Sequence, residues 1–419
     1  MNQIKPVRTT SEETLASAGS LHRKSSAEVF ESFELLRAYC EKENFRGWDP
    51  YDGLNSLLFQ RIPVLSKKRL TRLIWIQLFK KLPFNLRPFL RIKKGYNPKG
   101  LALFLSGYSN LSSLEDNAGK SIEKINALAD RLISLRSNGF SGNCWGYNFD
   151  WQSRAFFQPK FTPTIVATSY AANALMDAYA ITHNERYLTE AVSSKEFIIH
   201  DLRRTYLDNG TFSFSYSPYD QTSVFNASLL GAKLLSRIYY FTKENELKDL
   251  AKKVVAYCAS FQNEDGSWYY SPLPFHKWID NFHTGFNLEC ISDYTFYTGD
   301  DSFVSSFNKG MEYYLETFFD SQGRSKYYHN STFPVDIHSP SQLIILLSKA
   351  KLFDKNKEVV DKVLNWTIKN MQSPKGYFYY QKTRFYTNRI PYMRWSQAWI
   401  FCALTYYLKE VNINYENLV

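Results

Sequence analysis

Two short blocks of this 419-residue chain carry the residue types of acid–base chemistry at close spacing. The first is Trp278-Ile279-Asp280-Asn281-Phe282-His283-Thr284-Gly285-Phe286-Asn287-Leu288-Glu289. With a helix beginning after Asp280, His283 lies in its first turn, and Asn287, four residues on, shares its face. An imidazole among carboxylates can take or give a proton near neutral pH. Glu289 reads as a buried structural acid. The second block is Phe333-Pro334-Val335-Asp336-Ile337-His338-Ser339-Pro340-Ser341-Gln342. Asp336 and His338 stand at a helix start, where free N–H groups and the helix dipole favour anions. Both blocks also have a structural account. Asp280 would cap its helix while His283 satisfies a loop carbonyl. Ser339 would cap the other, with Pro340 at its first position.

Asp150 and Asp220 occupy equivalent places upstream, and Asp49 and Asp52 a degenerate first copy. The last such segment, Pro374 to Trp395, has no acid but holds Lys375, Lys382, Arg384, Arg389 and Arg394. Acidic walls facing a basic one suit an anionic sugar or a phosphorylated carrier. The catalytic candidates are therefore Asp280, His283, Asp336, His338, Asp150 and Asp220. Candidates for binding substrate are Trp145, Tyr147, Trp151, Arg154, Tyr216, Trp268, Trp278, Asn287, Tyr328, Tyr379, Gln381, Arg394 and Trp395. Tyr and Trp pair a flat apolar face with a polar tip, which serves sugar stacking and loop packing alike. A tyrosine can also act as acid or base where a cation such as Arg394 lowers its pKa. No metal or cofactor is expected. The five cysteines, Cys40, Cys144, Cys258, Cys290 and Cys402, show no metal-ligand spacing and read as reduced thiols. Cys144 lies in a loop but has no histidine beside it to activate it.

The positioning elements recur. Loops turn on Gly146, Gly210, Gly266, Gly323 and Gly376, each rich in aromatics, as in Gln262-Asn263-Glu264-Asp265-Gly266-Ser267-Trp268-Tyr269-Tyr270. Spacing of this size marks an architecture built from one repeated unit. The helices between the loops are of two kinds. Leu247, Leu250, Ala251, Val254, Val255, Cys258 and Phe261 form a one-sided stripe, so residues 247–261 predict an outer, half-exposed helix. Residues 223–241 are apolar nearly all round and predict an inner helix. Outer helices are also predicted over 185–201, 302–319 and 355–371, inner ones over 283–297, 339–352 and 394–408, and a further helix over about 164–182. About six such hairpins close into an all-α (α/α)6 toroid over residues 26–410, with the aromatic loops gathered at one mouth.

At 44% hydrophobic and 22% charged residues the chain is globular. Its net charge of +11 is local: residues 61–100 hold 12 Lys and Arg and no acid, leaving −1 elsewhere. A nucleic-acid-binding surface is thereby disfavoured. That basic, amphipathic segment interrupts the toroid. Three roles fit it: docking on an anionic membrane surface, packing on the barrel, or gripping an acidic substrate. Residues 1–25 and 411–419 read as tails, the first disordered. The polar N-terminus has no signal-like apolar run, and no stretch is long enough to span a membrane. The expected setting is cytoplasmic, peripheral on the inner membrane face if the basic segment docks there.

The hairpin count and loop placement resemble the six-hairpin glycosidase and polysaccharide-lyase superfamily. The blocks Cys144–Arg154, Ser213–Asp220, Trp278–Glu289, Phe333–Gln342 and Tyr392–Trp399 resemble an uncharacterised bacterial family associated with surface-polysaccharide biosynthesis loci. Lys253–Trp268, with a partial copy at Gln372–Phe378, resembles the QW repeat of triterpene cyclases. The acidic DxDD and DDxxD runs of such cyclases do not occur here. The resemblances imply a carbohydrate-active enzyme of surface-polysaccharide biosynthesis, acting as hydrolase, lyase or epimerase on a glycosidic or uronic substrate. A terpenoid-cyclase-like enzyme and a non-catalytic scaffold for a glycan or lipid carrier are the alternatives.

Overall fold

The structure, a computed structural model, describes residues 11–114, 118–152 and 157–411, and the side chains of these from residue 27 onward except 118. The tail residues 1–10 and 412–419, and Arg154, lie outside the described residues. The first helix spans Ser11–Lys42, so it begins well before the expected Ser26 and takes in much of the segment expected to be disordered.

Six inner helices form a closed ring: Pro98–Leu111, Ile165–Thr182, Phe225–Thr242, Asn281–Thr298, His338–Lys349 and Ala398–Glu410. Each packs on the next, and the sixth packs on the first. Outer helices Ser11–Lys42, Ala118–Ile133, Glu185–Val192, Asn245–Ala259, Val304–Phe318 and Lys357–Met371 surround them. The fold is thus an (α/α)6 toroid, all-α apart from short two- and three-residue strands in the loops. The inner helices sit deep because their surfaces are apolar and small: Ala167, Ala171, Ala172, Ala174 and Ala178 of the second are fully or almost fully buried. In the outer helix Asn245–Ala259, the predicted stripe from Leu247 to Cys258 is buried. Short links reverse the chain through left-handed residues such as Gly299 (φ 67°).

The recurring loop has a defined mechanical role. Gln262 Nε2 donates to Gly266 O (2.9 Å) and to Ser306 O (3.0 Å) of the next outer helix, while Ser306 Oγ donates to Gln262 Oε1 (2.6 Å). Gln372 makes the same bonds to Gly376 O (3.1 Å) and Ser32 (2.9 and 2.7 Å), closing the circle onto the first helix. The QW-like element therefore ties successive outer helices together. Gly376 has φ 91°, and a Cβ there would stand 2.2 Å from Leu35 O. Gly376→Ala should destabilise the fold by about 2–4 kcal/mol. Gly210 also has positive φ (78°) but open space around it, so Gly210→Ala should cost only about 1–2 kcal/mol. Urea unfolding of the two variants checks the difference.

One predicted cap is replaced. The fifth inner helix begins at His338 rather than Ser339, and Ser339 makes no capping bond. Pairing of Val335–Asp336 with Gln381–Lys382 delivers the chain already helical at Ile337 (φ −58°, ψ −20°). Asp336 Oδ1 accepts the His338 N–H instead (3.0 Å).

Candidate active site

The inner helices start at the loop mouth, so residues of their first turns face one another across it. Asp280 caps the fourth: its Oδ1 accepts the His283 N–H (3.0 Å). Its Oδ2 lies 2.7 Å from His283 Nδ1 and accepts from Trp278 Nε1 (3.0 Å). A carboxylate only accepts, so Nδ1 is the donor, and the neutral ring presents the lone pair of Nε2. Asp280 is almost fully buried, whereas the His283 side chain is 24% exposed. Tyr270 stacks on Trp278 (centroids 4.5 Å) and meets the His283 ring edge-on (4.7 Å). Together with Asn226 and Asn287 these groups line a narrow crevice with essentially no enclosed volume. One carboxylate both starts the helix and orients the imidazole.

Phe282 leads from this pair to the second block. It stacks on the His338 ring (4.6 Å), which also contacts Trp395 (4.9 Å) and Trp399 (4.0 Å). Trp395 Nε1 donates to Asp336 Oδ1 (3.0 Å), and Gln381 Nε2 to Oδ2 (3.1 Å). Burial pushes the Asp336 carboxyl up to about 6 against these hydrogen bonds and nearby Lys80. Burial, with Lys99, Arg394 and His283 nearby, holds His338 well below the usual imidazole range, so its ring is neutral.

The lumen beneath contains a lysine. Lys99, at the second position of the first inner helix, is only 4% exposed. Its Nζ lies over the rings of Tyr170 (4.3 Å), Trp399 (5.0 Å) and Phe286 (5.2 Å). Burial, with repulsion from Arg394, pushes its amine well below the usual lysine value. Among the described residues, both His338 ring nitrogens, Tyr170 Oη, Trp399 Nε1 and Asn287 Oδ1 are buried without a hydrogen-bond partner. Folded proteins keep few such groups. Tyr170, His338 and Trp399, from three different helices, cluster around the Lys99 amine of a fourth. Deeper in, Lys233 and Lys349 pair with Glu289 and Asp293 (2.5–2.9 Å), and Arg237 pairs with Asp177 (2.7 Å). This balanced layer seals the base of the lumen, and Glu289 belongs to it.

The remaining candidates divide. Tyr147 and Tyr216 join hydroxyl to hydroxyl (3.2 Å), and Trp151 tilts against Tyr216 (5.8 Å). Arg394 is buried in a bidentate pair with Asp49 (2.5 and 2.8 Å) and lies over Tyr147 (5.2 Å). Its charge is therefore largely answered inside the protein, which weakens the expectation that it neutralises a uronate. Tyr328, 37% exposed, reaches the mouth beside Tyr327. Tyr379 lies under Arg389 (5.4 Å). Trp145 and Trp268 are buried wedges, donating to Leu132 O (2.8 Å) and Cys258 O (3.0 Å) at the ends of outer helices. The Asp220 carboxylate accepts from Ser217 and Thr222, backbone and hydroxyl alike (2.5–2.8 Å), and serves to fold its loop. Asp150 accepts from Lys160 N (2.8 Å) in a turn. The five cysteines are buried and free.

Residues missed in the sequence are Lys99, Tyr170, Trp399, Tyr270 and Lys80. Lys80 projects from the insertion helix Arg69–Lys81 to Tyr51 Oη (3.1 Å), and its charge is felt by Asp336 and Tyr328.

A pH effect follows from Asp336. Its folded pKa of about 6 exceeds the ordinary 3.8, as does that of buried Asp52. Between these values the folded chain holds more protons than the unfolded one, so stability falls as pH rises through about 4 to 6. Each carboxyl contributes about 3 kcal/mol to that fall. Asp336→Asn keeps acceptors for His338 and Trp395, and Gln381 can flip to match. Urea unfolding at several pH values should show about half the slope lost in this variant.

No protein-family model matches the chain, and no curated protein matches it in sequence. Solved structures do. A cellobiose 2-epimerase from Bacillus thermoamylovorans is similar at TM-score 0.56 and 11% identity, over 74% of this chain and 88% of that one. A GH76 α-mannanase from Bacteroides thetaiotaomicron is similar at TM-score 0.56 and 16% identity, over 77% and 89%. A polysaccharide lyase is similar at TM-score 0.57 and 10% identity, over 92% and 98%. At such identities the likeness establishes the toroid fold.

Proposed function

We propose that this chain is a carbohydrate-active enzyme that performs acid–base chemistry on a glycan held in the toroid mouth. The observation that carries the reading is the Asp280-oriented His283 beside Tyr270 and Trp278, joined through Phe282 to His338, whose ring nitrogens are buried without a partner among the described residues. In this reading His283 Nε2 moves the proton. Tyr270 and Trp278 supply a stacking face. The lumen groups hold sugar hydroxyls or the charge that develops as the proton leaves. Proton abstraction from a sugar carbon, as in an epimerase or lyase, fits better than two-carboxylate hydrolysis. Asp220, Asp280 and Asp336 are each held by several hydrogen bonds, whereas the His283 imidazole is partly exposed. Hydrolysis remains the second reading because Asp336, raised to about 6, has the character of a general acid. The ionic lumen disfavours a terpenoid substrate.

The resemblance of the five blocks adds a setting: assembly of bacterial surface polysaccharide in the cytoplasm. The test is incubation with oligosaccharides from such polysaccharides in D₂O, followed by NMR. Deuterium at a sugar carbon or a new double bond supports the reading; a new reducing end with no carbon exchange selects hydrolysis. Unchanged glycans throughout would leave the chain a binding scaffold.

A further inference from the structure

The basic insertion keeps an outward face that the toroid does not use. Of the 21 exposed large hydrophobics among the described residues, nine lie between Leu57 and Phe89. Leu70, Ile74 and Leu78 are 68, 59 and 45% exposed and follow one another at four-residue steps along helix Arg69–Lys81. The opposite face of that helix buries Ile76 and Phe79. Beyond the helix, Phe84 and Phe89 are 60 and 80% exposed.

The cations of the insertion sort into two sets. Arg87 pairs with Asp52 (2.7 Å), Lys94 with Glu43 (2.5 Å), Arg72 lies over Phe157 (4.2 Å), Lys80 turns to the mouth and Lys99 to the lumen. Arg61, Lys67, Lys68, Lys81, Arg91 and Lys93 are exposed. The segment 61–100 itself contains no acid.

We infer that this face docks on the headgroup region of an anionic bilayer. Exposed leucines, isoleucine and phenylalanines flanked by Lys and Arg are the composition of an interfacial helix. Among the described residues no helix is long and apolar enough to cross a membrane, so the contact is superficial. A second copy of the chain is a poorer occupant. A two-fold interface would set this cationic patch against itself, and like charges oppose such pairing.

The docking face borders the mouth. Tyr386 Oη donates to Lys81 O (3.0 Å) and Asn388 Nδ2 to Leu82 O (3.0 Å). Asn388 pairs with Gln381, which holds Asp336. If the proposed function holds, on which this step rests, the glycan is one carried on a membrane lipid.

Flotation of the full chain with vesicles tests the docking without any glycan. Binding is expected on phosphatidylcholine vesicles containing phosphatidylglycerol, at least about tenfold stronger than on phosphatidylcholine alone, and weaker at high salt. Leu70→Glu with Ile74→Glu should reduce it at least about tenfold. Lys67→Gln with Lys68→Gln should weaken it and flatten its salt dependence. All four residues are exposed, and unchanged thermal melting verifies the fold. Absence of binding at low salt, or binding indifferent to both double variants, overturns the inference. So does a dimer in sedimentation velocity that Leu70→Glu with Ile74→Glu dissolves while vesicle binding is absent. Equal turnover of free and lipid-carried glycan removes the lipid carrier and leaves the docking standing. Docking without turnover of any glycan removes the enzymatic reading instead.

Discussion

Replacing His283 by glutamine is expected to lower turnover by a factor of about 10²–10⁴ while leaving the fold intact. The imidazole is a quarter exposed, so little apolar burial is lost. Asp280 keeps its capping bond to the residue 283 N–H and its bond from Trp278 Nε1. A glutamine amide can still reach Asp280, but it cannot take up a proton near neutral pH. Asp280→Asn should cost a comparable factor for a different reason. The amide no longer compels the imidazole to donate from Nδ1, so Nε2 is presented in the wrong tautomer for part of the time. Turnover reduced less than tenfold in His283→Gln would remove this residue from the chemistry.

The second large effect concerns Lys99, and it has two signs. Lys99→Met keeps the length of the side chain and removes an amine buried among three aromatic rings. Stability should rise by about 1–3 kcal/mol, because burial disfavours the charged amine. Activity should fall on the order of 10²-fold, as when one preorganised donor is removed from a site. The pH dependence provides a check. The folded amine titrates below the ordinary 10.5, so the unfolded chain binds the extra proton in that interval. Stability of the native chain therefore rises with pH towards 10.5, and Lys99→Met should lose this rise. A variant that is less stable yet fully active would make Lys99 a packing residue.

The toroid was legible because its cause is periodic. One-sided stripes and all-round apolar helices alternate, and glycines that require positive φ recur between them, as at Gly266 (φ 91°) and Gly376 (φ 91°). The acid–base block at Asp280 and His283 was legible because both residues sit within a single helical turn. The lumen was not, since it is assembled from residues far apart in sequence. Lys99 lay hidden within a run of twelve cations, and linear charge could not separate those that fold inward from those that face out. Its context did carry a signal: Asn97 caps a helix with Pro98 at its first position, and a lysine opens an otherwise apolar inner helix. Tyr170 and Trp399 lie within inner helices, and nothing local in the sequence says that their polar tips find no partner. Trp145 and Trp268 erred the other way. Loop aromatics resemble a sugar platform, but their Nε1 groups satisfy carbonyls at outer-helix ends.

The central claim is that the mouth and lumen together hold a reacting sugar. A crystal structure of the inactive His283→Gln variant soaked with its oligosaccharide tests it most directly. The account predicts a sugar ring against Tyr270 and Trp278, a carbon or hydroxyl within hydrogen-bond reach of the residue 283 side chain, and polar contacts to Lys99, Tyr170 or His338. A glycan bound on the outer surface with the lumen groups untouched would contradict it.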